Sequence, residues 1–234
     1  MNNEFLKFAT GHKGISSLAL HNYQMAMQKR MGGNNLASTV SMTPHVVLEA
    51  TKNMAIMSVF DRLMQDRILM LGMPISQEIS NIICAQLLFL DSVDSENDIS
   101  LYLDSPGGNV AGGNSIIDVM EIISAPVATY NLGTCASMAA VILACGEKGK
   151  RAALKRSRTM IHQISGGFEG DFTEMAIQVE EARIIRNSLY ELLAERTGHS
   201  FEEIERDCDR DKWLSAEESK AYSIVDYVLQ KKKK

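Results

Sequence analysis

The chain has 234 residues, 45% hydrophobic and 23% charged, and 24 Lys and Arg against 29 Asp and Glu give it a net charge of −5; this is ordinary globular composition, long enough for one substantial domain with an appendage. No basic stripe with interleaved aromatics marks a nucleic-acid surface, no apolar run approaches the roughly 20 residues of a bilayer span, and the N-terminus lacks the continuous apolar stretch of a secretory signal. Cys84, Cys135, Cys145 and Cys208 form no CxxC pair and have no His-rich partner spacing, so they read as reduced thiols of a cytoplasmic protein and not as a disulfide framework or a metal site.

Residues 1–40 are rich in Met, Asn, Gln and Gly and read as an extension, either a propeptide or a gating segment, with a short amphipathic helix near Leu18–Met27 or a mobile tail as the two local readings. The domain proper is expected over residues 41–230, and Lys231–Lys234 as a solvated tail. Arg67–Leu71 is a short apolar run ending at Gly72, which predicts a buried strand. Glu78–Leu90 places Ile79, Ile82, Ile83, Leu87 and Leu90 at helical spacing. Ile99–Leu103 predicts a second strand, Asn114–Ile123 a helix, and Val127–Leu132 a third strand. A helix of small and apolar residues follows over Ala136–Ala144, then a strand ending at His162, then the longest helical pattern, Phe172–Arg196. Strands alternating with helices predict an α/β fold with largely parallel strands.

Three loops interrupt this alternation where strands hand over to helices, the usual place for a site in such folds. Ser105-Pro106-Gly107-Gly108 offers backbone conformations closed to other residues and lets a ligand approach N–H groups. Ser137, flanked by small residues, stands at the start of a predicted helix, where free N–H groups and the helix dipole favour a developing negative charge. His162 stands at the mouth of a strand. Taken one at a time, these read as a turn, a helix N-cap and a structural histidine; only their combination points to chemistry.

The combination resembles the Clp protease proteolytic subunit family (ClpP) over roughly four fifths of the chain, from about Met42 to Leu229. The carrying segments are Ser105-Pro106-Gly107-Gly108, Ala136-Ser137-Met138, Lys148-Gly149-Lys150-Arg151, Ser157–Gln163, Gly166-Gly167, Ile204–Asp207, Asp209-Arg210-Asp211, Leu214-Ser215-Ala216 and Val225-Asp226. The resemblance implies a ClpP/crotonase-like fold of repeated ββα units with a protruding strand–helix handle at about 163–197. It implies Ser137 as nucleophile, His162 as general base, Asp211 as its orienting acid, and the N–H groups of Gly108 and Met138 as the oxyanion hole. By the same likeness, Asp209 and Arg210 resemble a ring-to-ring contact. The glycine-rich strand after His162 is the one that pairs with an extended substrate peptide. Tyr102, Ile122, Tyr130, Leu132, Leu154 and Leu229 fall in the cleft that receives an AAA+ unfoldase. The expected assembly is two stacked heptamers of this chain acting on unfolded polypeptides, with no metal or cofactor of its own, since ATP is used by the unfoldase.

Several positions depart from the family pattern. Asp104 replaces an asparagine before the Ser-Pro-Gly-Gly motif, and its carboxylate would oppose an anionic intermediate if it pointed inward. Ile164 replaces a proline, Thr134-Cys135 replace a glutamine-alanine pair, and Ser100 and Ala152 stand where cleft aromatics are expected. Two other functions stay open at this level: a weakly active ring subunit that modulates a paralogue, and an acyl-CoA enzyme of the crotonase type, which needs backbone N–H donors but no Ser–His–Asp set.

Overall fold

The computed structural model describes residues 45–50 and 53–230. The expected extension over residues 1–40, with its Leu18–Met27 helix, and the Lys231–Lys234 tail lie outside the described residues. The chain divides into two compact units, Met1–Val59 and Phe60–Lys234. The described part of the first is a hairpin of β1 (His45–Ala50) and β2 (Asn53–Ser58), antiparallel with His45 opposite Ser58 and Ala50 opposite Asn53. A short helix, α1 (Val59–Gln65), leads into the second unit.

In the second unit strands and helices alternate as the hydrophobic periods predict. β3 (Ile68–Leu71), α2 (Gln77–Val93), β4 (Ile99–Ser105), α3 (Val110–Ile122), β5 (Val127–Ala136) and α4 (Met138–Ala144) come first. β6 (Arg151–Leu154), β7 (Arg158–Ile161), α5 (Phe172–Thr197), α6 (Phe201–Cys208), β8 (Lys212–Ser215), α7 (Ala216–Ala221) and β9 (Tyr227–Leu229) complete the unit. The sheet has seven strands, with β3-β4-β5-β6-β9 parallel throughout. The ten-residue β5 forks: Thr129–Asn131 pair with β6, and Thr134–Ala136 pair with β7, which in turn pairs antiparallel with β8. That fork carries the end of β5, and Ser137 after it, away from β6 and sets it beside β7.

The helices begin and end where their capping residues dictate. Ser76 accepts from the Ile79 N–H at the head of α2, and Asp171 accepts from Thr173 and Glu174 at the head of α5. Gly198, at φ +80, closes α5 in the left-handed conformation that favours glycine. Ser200 with Glu203, and Ser215 with Glu218, form capping boxes on α6 and α7. Every residue of α4 is buried, and the alanines let this helix sit among Leu101, Leu103, Ile116, Ile117 and Leu189 of the core. Each large aliphatic side chain buried here contributes about 1.5–3 kcal/mol.

The handle differs from expectation in one respect. The first half of α5 is exposed on every side, with Phe172, Ile177 and Val179 at 84%, 64% and 52% exposure, so the helix projects from the core. Residues 163–169, however, form no strand. A strand exists only through a ladder partner for its N–H and C=O groups; here the Gln163 N–H reaches the Cys208 carbonyl, and residues 164–169 pair with no strand among the described residues.

Candidate active site

Ser137 links the end of β5 to α4 at φ +56 and ψ −127. A non-glycine residue here is strained, and the strain is held by the Ser137 N–H donating to the Met160 carbonyl of β7 at 2.8 Å and by the buried helix that follows. Ser137 occupies the N-cap position, yet its hydroxyl makes no cap hydrogen bond. It lies instead 2.9 Å from Nε2 of His162, the residue that follows β7, and Nδ1 of His162 lies 3.2 Å from Oδ1 of Asp211, the residue that precedes β8. The antiparallel pairing of Ile161 with Lys212 explains the meeting, because the next positions outward on the two strands are His162 and Asp211. The His162 side chain is 22% exposed and that of Asp211 61%.

The Ser-Pro-Gly-Gly loop lies directly over this group. Gly107, at φ +88, approaches so closely that a Cβ there would come 2.6 Å from the Ala136 carbonyl and 2.8 Å from Ser137 Cβ. A Cβ on Gly108, at φ +147, would run into the Ile75 carbonyl, against which the loop is tied by Ile75 N–H to Gly107 O and Asn109 N–H to Ile75 O. No other residue type fits either position. Met138 is the first residue of α4, so its N–H has no partner within its own helix.

A cavity of about 60 Å³ opens beside the serine, lined by Gly108, Ser137, Met138 and His162 with the apolar walls Val110, Val141, Ile161, Ile164, Leu189 and Leu193. Tyr190 and Gln163 also face it, and burial pushes the Tyr190 hydroxyl up to about 12, so it stays neutral. No local pattern in the sequence marks these walls, because they come from four separate segments. A larger cavity of about 550 Å³ between the ends of α3 and α5 is lined by Glu121, Glu147, Arg151 and Arg196 and holds none of the three aligned residues.

Asp104 turns away from the cavity. Between Leu103 and Ser105 the register with β5 jumps from Asn131 to Cys135, and this irregularity frees the Thr134 N–H, which donates to Asp104 Oδ1 at 2.8 Å. An asparagine oxygen can accept the same bond, so Asp104→Asn is expected to leave kcat within about twofold, whereas Asp104→Ala loses the acceptor and about 0.5–1.5 kcal/mol of stability. Peptide hydrolysis and urea unfolding of the two variants check this. Cys135 is fully buried, and burial pushes its thiol well above the ordinary range, which leaves no thiolate to compete with Ser137.

On the sheet face opposite the helices, Tyr102, Tyr130, Ala152 and Tyr227 lie in one row across β4, β5, β6 and β9. The Tyr102 and Tyr130 rings stack at 4.6 Å, and the fully buried Ala152 stands between Tyr130 and Tyr227 in the row. Leu132, Leu154 and Leu229 extend the same face, as strand alternation requires. Ile122 ends α3, whose Ile116, Ile117 and Met120 pack into the core, and it is 79% exposed. Tyr227 belongs to the row and was not foreseen in the sequence, since the short β9 carries too few residues for a period to show. Asp209 and Arg210 form an exposed pair at 3.7 Å, with side chains 70% and 90% accessible.

Comparison with known proteins gives the lineage. The family model described as Clp protease matches residues 51–232. A protein of Porphyromonas gingivalis called ATP-dependent Clp protease proteolytic subunit is 42% identical over 232 residues, covering 99% of this chain and all of the relative. Proteins of the same description from Bacteroides fragilis and Bacteroides thetaiotaomicron are 42% and 40% identical over 230 residues, each covering 98% of this chain and all of the relative. The chain belongs to the Clp protease family.

Proposed function

We propose that this chain is the serine endopeptidase subunit of a compartmental protease of the cytoplasm, hydrolysing peptide bonds in unfolded polypeptides delivered by an AAA+ unfoldase. The observation that carries the chemistry is the continuous line from Ser137 Oγ to His162 Nε2 at 2.9 Å and from His162 Nδ1 to Asp211 Oδ1 at 3.2 Å. His162 takes the hydroxyl proton as Ser137 Oγ bonds to the substrate carbonyl carbon, and Asp211 stabilises the imidazolium. The carbonyl π pair moves to the oxygen, which the N–H groups of Gly108 and Met138 receive. Collapse breaks the C–N bond, the leaving amine takes the proton from His162, and water releases the acyl group by the same sequence of steps.

The names of the relatives support the role of proteolytic subunit alongside an ATP-using partner. Exposed Phe168, Phe172, Ile177, Val179 and Ile184 on the handle support assembly of this chain into stacked rings, because apolar side chains concentrated on a projecting helix call for a covering surface. Asp209 and Arg210 fit the ring-to-ring contact, and the row of tyrosines with Leu132, Leu154 and Leu229 fits the unfoldase cleft. The catalytic steps use protein groups alone; ATP is used by the unfoldase.

The assembled protein is expected to take a fluorophosphonate label on Ser137 and to cleave unfolded peptides. Enoyl-CoA hydration that survives Ser137→Ala, or an assembled ring that neither labels nor cleaves, would overturn the reading. The apolar walls beside Ser137 predict the substrate residue before the cleaved bond. Fluorogenic peptides with Leu or Met at that position are expected to exceed those with Asp or Lys by about 100-fold in kcat/KM, because a charge would be buried there without a partner.

A further inference from the structure

Asp211 is an unusual orienting acid. Its side chain is 61% exposed, and among the described residues its one hydrogen-bond partner is His162, at 3.2 Å. No backbone N–H holds the carboxylate from behind, so its position must be set through the main chain that carries it. That main chain is secured on one side by β8, whose pairing with β7 ends at Lys212 opposite Ile161. Lys212 adds an ion pair to Asp207 at 2.7 Å, and Asp207 also accepts from the Tyr222 hydroxyl at 2.9 Å. On the other side the chain forms an exposed bend through Asp209 and Arg210.

The ladder stops at this bend, and one residue takes its place. The Gln163 N–H donates to the Cys208 carbonyl at 2.6 Å, and its side-chain Nε2 donates to the Asp209 carbonyl at 2.8 Å. Gln163 directly follows His162, so the same short stretch of backbone holds the base and grips the bend two residues before the acid.

We propose that Gln163 is a positioning residue: its amide clamps the Cys208–Asp211 bend to the end of β7 and so sets the Asp211 carboxylate against His162 Nδ1. This rests on the serine peptidase reading above. Gln163 also faces the cavity beside Ser137, and a role in substrate contact would appear in KM, whereas a positioning role appears in kcat. Gln163→Glu keeps the length but cannot donate to the Asp209 carbonyl, and Gln163→Leu removes the amide altogether.

The test is a double-mutant cycle on the full-length assembled protein, with an activated ester substrate so that slow variants stay measurable. Both variants are expected to lower kcat by about 10- to 100-fold with KM moved less than about twofold. In an Asp211→Ala background, Gln163→Leu is expected to cost less than about twofold further, because no carboxylate remains to be positioned. Melting temperature and oligomer mass accompany each variant, and the near-isosteric Gln163→Glu carries the test if Gln163→Leu disturbs folding. Equal losses with and without Asp211, a loss confined to KM, or wild-type kcat in both Gln163 variants would overturn the clamp while leaving the peptidase reading intact. An inactive, unlabelled wild type would overturn both.

Discussion

Replacing Ser137 by Ala is expected to lower kcat by about six orders of magnitude, the loss that follows removal of the nucleophile from a cooperating triad, and to abolish fluorophosphonate labelling. The fold should be unaffected, because the Ser137 hydroxyl makes no cap bond and its one side-chain partner is His162. The backbone at φ +56 allows a sharper form of the experiment. Glycine adopts this conformation without a Cβ clash, so Ser137→Gly is expected to be more stable than Ser137→Ala by about 1 kcal/mol, within the 1–3 kcal/mol range of such strain, while remaining just as inactive. Thermal unfolding of the two variants beside their peptidase rates reads both effects. Equal stability of the two would mean that the turn is not under strain; retained hydrolysis in either would mean that Ser137 is not the nucleophile.

The second large effect concerns Arg151, whose side chain is 4% exposed. Its guanidinium grips Asp226 through Nε at 3.1 Å and Nη2 at 2.7 Å, and Nη1 donates to the carbonyls of Ala144 and Arg196. One side chain thus ties the ends of α4 and α5 to the start of β9. Asp226 also accepts from the N–H groups of Gly149 and Arg151. Burial works against its charge, but the Arg151 guanidinium and these N–H donors outweigh it and hold the carboxyl below the usual range. Arg151→Met leaves this half-buried carboxylate without its counter-charge and is expected to cost about 3 kcal/mol, the lower end of the range for a broken buried pair and a large part of the 5–15 kcal/mol of a typical domain. Urea unfolding followed through Trp213, the single tryptophan and 46% exposed, measures it. Because the folded-state pKa of Asp226 is depressed, its contribution is complete above the unfolded value of about 4 and is lost as pH falls through the folded value. Asp226→Asn should flatten that acid limb. A loss under about 1 kcal/mol for Arg151→Met would place the pair among ordinary surface ion pairs.

Much of the second unit was legible because its elements carry strong local signals. Glu78–Leu90 is amphipathic over nearly the whole of α2, and the observed helix starts one residue earlier and ends three residues later. Phe172–Arg196 reads as one helix and is one. Local signals missed α6, α7, β6 and β9, which run only three to eight residues, too short for a period to stand out. Val127–Leu132 predicted only the first part of β5, because Gly133 and Thr134 look like a strand end; the strand continues by changing partner from β6 to β7.

The sequence by itself determined which residues could meet at the site: Ser137 among small side chains, His162 at a strand mouth, two glycines after a proline, and Asp211 in a motif shared with a known family. These are chemical and local conformational requirements, and residue type carries them directly. Only the tertiary structure decided that the three side chains stand in line, since the fork in β5 and the pairing of β7 with β8 bring together residues far apart in the chain. It also decided that Asp104 turns to a backbone N–H and away from the cavity, that Tyr227 joins the tyrosine row, and that residues 164–169 pair with no strand among the described residues. Each depends on which strand lies beside which, and a local pattern of side chains does not encode that.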